Sequence, residues 1–169
     1  MNLTAECWAK SNTATWNHFG FLVQKQDAFI IHPRQGLKTI NFYIYTSNGT
    51  ASTNFTPDAS FDLTKWHHYA GTYDGNTGQI NFYIDGVLVD QSVLVGGGSI
   101  IVNNNPLYMG VDPCCPGRFF NGQIDEVKLW NTTLTEAQIR DRMCRKITSA
   151  DPLYANLAAY YNFDESTGS

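Results

Sequence analysis

The stretch WHHYAGTYDGNTGQINFYIDG, from Trp66 to Gly86, carries the fold in its spacing. From Gln79 onward the residues alternate, with Ile80, Phe82 and Ile84 on one face and Asn81, Tyr83 and Asp85 on the other. That is the period-two pattern of a half-buried strand. Asp85-Gly86 closes it in a tight turn, because glycine accepts the positive φ that a primed hairpin turn demands. The residues after Trp66 read as the preceding strand, joined to this one by a glycine-punctuated turn.

Working outward, Leu3 to Lys10 reads as a first strand, with Trp8 in or near the core. Phe19 to Gln24 and Ala28 to Ile31 follow as strands around Asp27, and Lys38 to Thr46 as another, with Ile40, Phe42 and Ile44 facing one way. Asn48-Gly49 is a turn signal. Ile40 to Ile44 recurs identically at Ile80 to Ile84, and since nothing else repeats at that period, the echo marks two strands of similar environment rather than a repeat architecture. Ile100 to Val102, Leu107 to Gly110 and Gly122 to Trp130 complete the strands. Thr135 followed by Gln138 predicts a capped helix start, and Ile139 and Met143 share one face of that helix. Many strands with one short helix and no alternating helix pattern indicate an all-β, antiparallel two-sheet jelly-roll sandwich.

Three segments carry a family resemblance. Trp66-His67 with Ala70, followed by the hairpin ending Tyr83-Ile84-Asp85-Gly86, resembles the laminin-G-like domains of the concanavalin A-like superfamily. FFNGQIDEVKLWN, Phe119 to Asn131, resembles the late core strand of that family, and Leu134 to Ile139 its short helix. LAAYYNFDESTG, Leu157 to Gly168, resembles a phrase that in relatives either opens a domain or returns as the terminal strand. The resemblance implies one sandwich domain over 1–169, a module of a longer or tandem-repeat protein, with 157–169 closing this sandwich or beginning the next unit.

A chain of 169 residues is one domain's length, and a sandwich of this size buries roughly 70% of the surface its unfolded chain exposes. With 43% hydrophobic, 14% aromatic and 15% charged residues it is far from the disordered class. A net charge of −4 argues against nucleic acid, since no cationic surplus exists to displace counterions. No run of eighteen apolar residues predicts membrane insertion. Asn-x-Ser/Thr triplets at Asn2, Asn48, Asn54 and Asn131 point to an extracellular or cell-surface protein carrying N-glycans.

Cys7, Cys114, Cys115 and Cys144 fit no zinc spacing. In an oxidising compartment the loop Pro113 to Gly117 reads as a strained vicinal disulfide or as two cysteines bridging elsewhere, such as to Cys7 and Cys144. Alternatively, Cys7 is a small buried hydrophobe.

Some relatives of this sandwich are glycoside hydrolases, whose paired carboxylates project from one face of a strand. Asp125-Glu126 and Asp164-Glu165 are adjacent, so regular alternation sends each pair to opposite faces and predicts no catalytic residues. His67 and His68 fall one on each face, without a nucleophile beside them. Gln24 to Asp27 and Met109 to Asp112 resemble the calcium-binding stretches of the pentraxin branch, which implies Ca2+ on Asp27 and Asp112 with help from Asn121; the alternative is two solvated loop acids. Sugar recognition needs aromatic platforms beside amides and acids, and the candidates are Tyr43, Tyr45, Tyr83 and Tyr108 with Asn81. The same residues could instead form a second core face or an assembly contact. The sequence therefore predicts a non-catalytic recognition or adhesion module for a glycan or glycoprotein. The alternative is a structural repeat of a glycosylated filament, assembling with copies of itself through strand edges.

Overall fold

The computed structural model describes residues 1–16 and 20–164. Among the described residues, eleven strands form two antiparallel sheets. In chain order they are β1 (Leu3–Ser11), β2 (Val23–Lys25), β3 (Phe29–Pro33), β4 (Ile40–Thr46), β5 (Gly49–Ser52), β6 (His67–Tyr73), β7 (Gln79–Ile84), β8 (Val87–Val93), β9 (Leu107–Met109), β10 (Gly122–Trp130) and β11 (Leu157–Tyr161), with helix α1 (Glu136–Arg142) between β10 and β11. The six-stranded sheet runs β11-β10-β1-β6-β7-β8 and the five-stranded sheet β5-β4-β3-β2-β9.

The alternation read from the sequence sets which side chains meet. Ile80, Phe82 and Ile84 join Phe42, Ile44, Phe29 and Ile31 in the main core between the sheets. Gly71 lies in that core where a Cβ would come within 2.4 Å of the Phe42 ring, so the close approach of the sheets there requires glycine. The opposite face of the six-stranded sheet is not left wet. Ala70, Tyr83 and Trp130 pack there beneath Leu134, Ile139 and Ile147 as a second apolar cluster. Helix α1 is seated by the predicted capping box, in which Thr135 Oγ1 accepts from the Gln138 amide and Gln138 Oε1 accepts from the Thr135 amide.

Several expectations shift. The second strand begins at Val23, although the Leu22 amide still donates to Ile31 O; Phe19 lies outside the described residues. Ile100 to Val102 makes one isolated bridge, Thr46 to Ile100, and no strand. β5 and β8 are strands the pattern did not mark: both lie at sheet edges, where one side has no ladder partner and the hydrophobic alternation is weak. Trp8 is half-buried on the helix side, its indole N–H donating to Met143 O at 2.6 Å. β11 pairs antiparallel with β10 from Val127–Tyr161 to Trp130–Leu157.

Candidate functional site

Because Phe29, Ile31, Phe42 and Ile44 point into the core, period two sends Ile30, His32, Asn41, Tyr43 and Tyr45 to the outer face of the five-stranded sheet. Register then builds a row across all five strands: Tyr108 opposes Gln24, Gln24 opposes Ile30, Ile30 opposes Tyr43, and Tyr43 opposes Ser52. His32 stands beside the row, its ring 5.7 Å from that of Tyr43 and 4.6 Å from that of Phe21. Burial, and secondarily the Arg34 charge, pull the His32 imidazole down to about 4, so it is neutral at physiological pH. Tyr43, Tyr45 and Tyr108 are half-buried, with part of each side chain facing solvent.

Two amides on this sheet, Gln24 and Asn41, are buried. Asn41 donates through Nδ2 to Thr53 O at 2.7 Å, which leaves its carbonyl oxygen buried without a partner. The buried Gln24 carbonyl oxygen is likewise unpartnered among the described residues. Buried acceptors are nearly always bonded, so two orphans on one aromatic face are unusual. The surface itself presents partly exposed tyrosine rings, the platform that sugar C–H faces engage.

The other predicted residues are dispersed. Tyr83 is buried beneath α1 in the second core cluster, the alternative weighed from its alternation, so it offers no sugar platform. Asn81 is half-buried on the opposite sheet, accepting from Gln79 Nε2 at 2.8 Å. Asp27 and Asp112 lie beyond opposite ends of the short β2–β9 ladder, because antiparallel pairing sets Lys25 against Leu107 and Val23 against Met109. Asp27 occupies the β2–β3 turn with φ 60 and accepts from Asn105 Nδ2 at 3.2 Å, while Asp112 pairs with Arg118 Nη1 at 2.7 Å. Asn121 accepts from Asn12 Nδ2 at 2.9 Å. These three do not make one calcium donor set, and no cluster of three or more metal-binding side chains occurs among the described residues.

The cysteines separate likewise. Cys7 points into the main core with 0% exposure, the buried hydrophobe of the alternative reading, and burial pushes its thiol far above the ordinary range. Cys144 is exposed, as is Cys114, while Cys115 is half-buried. Of the glycosylation candidates, Asn48, Asn54 and Asn131 are exposed and Asn2 is half-buried, its Oδ1 accepting from the Gly75 amide at 3.1 Å.

One polar cluster escaped the sequence reading. Glu6, His68 and Lys128 are each 0% exposed on the helix side of the six-stranded sheet. Glu6 lies 3.4 Å from His68 Nε2 and accepts from Trp130 Nε1 at 3.0 Å. Lys128 pairs with Glu126 at 2.9 Å, and the Tyr160 hydroxyl donates to the same carboxylate at 2.7 Å. A bulge in β10 brings this about: the register jumps between Glu6 and Trp8, and Glu126 sits at φ 51. It also corrects the carboxylate prediction. Asp125 opposes Trp8 and Glu126 bonds Lys128, so both acids lie on the helix side rather than on opposite faces. Only the Glu6–Lys128 pairing across β1 and β10 could have signalled the cluster, and strand alternation alone does not reveal register.

The chain belongs to the concanavalin A-like lectin/glucanases superfamily, whose laminin-G family model matches residues 1–140. It is 24% identical over 101 residues to the human pentraxin-related protein PTX3, covering 55% of this chain and 26% of that one. Among solved structures, it resembles a "putative carbohydrate binding protein" from Bacteroides ovatus with TM-score 0.73 and 22% identity, covering 99% of this chain and 47% of that one. A heptameric SAP-like pentraxin from Limulus polyphemus matches with TM-score 0.61 and 17% identity over 82% of this chain and 68% of that one. The chain thus spans about a quarter of the curated relative's length and half of the bacterial one. At these identities the structural likeness establishes the fold. No helix among the described residues is long and apolar enough to cross a membrane.

Proposed function

We propose that this chain is a non-catalytic binding module for a glycan or glycoprotein, acting outside the cell or at its surface. The observation that carries this reading is the Tyr108–Gln24–Ile30–Tyr43–Ser52 row, whose tyrosine rings stand partly open on the outer face of the five-stranded sheet. A stacked sugar would lay its C–H face on Tyr43 or Tyr108. Superfamily membership supports a binding role, as does the engagement of Glu126 by Lys128 and Tyr160, which leaves that carboxylate bonded to its own protein. Exposed Asn48, Asn54 and Asn131 support an extracellular setting. A broad glycan array probed with the whole chain tests the proposal. Binding to a defined glycan class supports it, and silence across the array, with the chain shown to be folded, sinks it.

A second reading rests on β8. This edge strand exposes Val87 and Val93, each at 54%, with Leu88 at 38%, and no lysine or proline blocks its open side. Copies could assemble through it into a filament decorated by glycans. Electron microscopy of concentrated chain and of Val93→Lys separates the readings: fibres abolished by the lysine support assembly through β8, and fibres unaltered by it exclude that edge.

A further inference from the structure

The geometry points to a redox-convertible modification site: Cys114 and Cys115 close into a vicinal disulfide by exchange with a small-molecule disulfide. Their sulfurs lie 2.7 Å apart on the loop between β9 and β10, and Cys114 is exposed to an incoming reagent. The loop's base is fastened on both sides. Val111 bridges Phe119, the Asp112 amide donates to Arg118 O at 3.0 Å, and Arg118 Nη1 reaches Asp112 at 2.7 Å. Asp112 in turn accepts from the Cys114 amide at 3.0 Å. Pro113 and Pro116 flank the pair and restrict its backbone. The thiols are therefore held together before any bond forms.

A competing pairing of Cys7 with Cys144 is closed off by the six-stranded sheet. Cys7 faces the inter-sheet core, whereas its neighbour Trp8 faces the other way and bonds Met143 O, next to Cys144. Cys144 lines a cleft of about 260 Å³ with Trp8 and Glu126 on that side.

The chemistry balances with a disulfide RSSR as oxidant. Cys114, the exposed thiol of the pair, loses its proton and attacks first. One RS–S bond breaks, RS⁻ leaves, and a mixed disulfide forms on Cys114. Cys115 then loses its proton and attacks the Cys114 sulfur, expelling the second RS⁻. The two protein protons end on two RSH. Adjacent Cα atoms are about 3.8 Å apart across a trans peptide, short of the ordinary disulfide range of about 4.4 to 6.8 Å. The ring is consequently strained and reopens easily, which makes it a switch and not a staple.

The test is exposure of the whole chain and of Cys144→Ser to oxidised glutathione, followed by non-reducing intact mass and peptide mapping. The expected result is loss of two hydrogens from the peptide holding both cysteines, restored by reduced glutathione, with Cys7 remaining a thiol. Cys115→Ser should instead retain one glutathione on Cys114. A stable glutathione adduct on either cysteine of the wild-type loop, a bond from the loop to Cys144, or loss of two hydrogens that persists in Cys115→Ser would overturn the proposal.

Discussion

Asp85 ties the turn between β7 and β8 to the first residues of β6: its Oδ2 lies 2.7 Å from His67 Nδ1, and its Oδ1 accepts the His68 amide at 2.8 Å. The hairpin signature and the Trp-His signature are thus two ends of one tether. Asp85 and Gly86 both take positive φ, 51 and 73, as the primed turn demands. Asp85→Ala loses both bonds and leaves Nδ1 of the partly buried His67 without its acid, a cost of about 1 to 3 kcal/mol. For a domain of this size that lowers Tm by roughly 3 to 10 °C. Asp85→Asn, which tolerates left-handed backbone and keeps an acceptor, should lose less. A calorimetric scan that finds Asp85→Ala as stable as wild type contradicts this account of the turn.

Gly71→Ala should destabilise by about 1 to 3 kcal/mol through overpacking, because the added methyl meets the Phe42 ring from the facing sheet. Urea unfolding measures it, and an unchanged midpoint would show that the sheets yield at that point.

Tyr83→Ala empties a site beneath α1 and should cost about 3 kcal/mol, since Tyr83 is 4% exposed among Trp130, Leu134 and Ile139. Tyr43→Ala, on the outer face, should cost well under half of that. Equal losses in a denaturant titration would mean the two faces are misassigned.

The contrast between these tyrosines shows how far the sequence could be read. Alternation in the identical Ile40–Ile44 and Ile80–Ile84 segments correctly separates Phe42 and Phe82 from Tyr43 and Tyr83. It does not say what covers each outer face, and there one sheet meets solvent while the other meets the α1 region. Asp27 and Asp112 failed as a pair for a related reason: their loops are known from sequence, but strand direction and register decide whether those loops meet. The β10 bulge broke period two at Asp125-Glu126, and with it the inference that adjacent acids part company. That Tyr43 and Tyr45 face away from the core was legible because a regular strand is a rule that sequence alone can apply.

Acid should weaken the fold through Glu6. Burial alone would raise its carboxyl, but the His68 contact, Lys128 and Trp130 outweigh that and lower it from 4.5. A depressed carboxylate stabilises the native state above its unfolded value and loses that contribution as pH falls through its folded value. Asp112 and Asp151, lowered from 3.8 against their burial by Arg118 in one case and by the Leu153 amide and Arg142 in the other, act in the same direction. Tm should hold steady above pH 5 and fall below about 4.5, and Glu6→Gln should start lower at neutral pH and decline less steeply. A wild-type Tm flat down to pH 2 would contradict this reading.

We propose that the outer face of the five-stranded sheet binds sugar. Titration calorimetry of wild type, Tyr43→Ala and Tyr108→Ala against a glycan selected from the array tests it most directly, with circular dichroism to confirm that each variant folds. The account predicts that at least one alanine weakens binding by about tenfold, the worth of a stacked ring. Two folded variants that bind with wild-type affinity would place the ligand elsewhere on the sandwich.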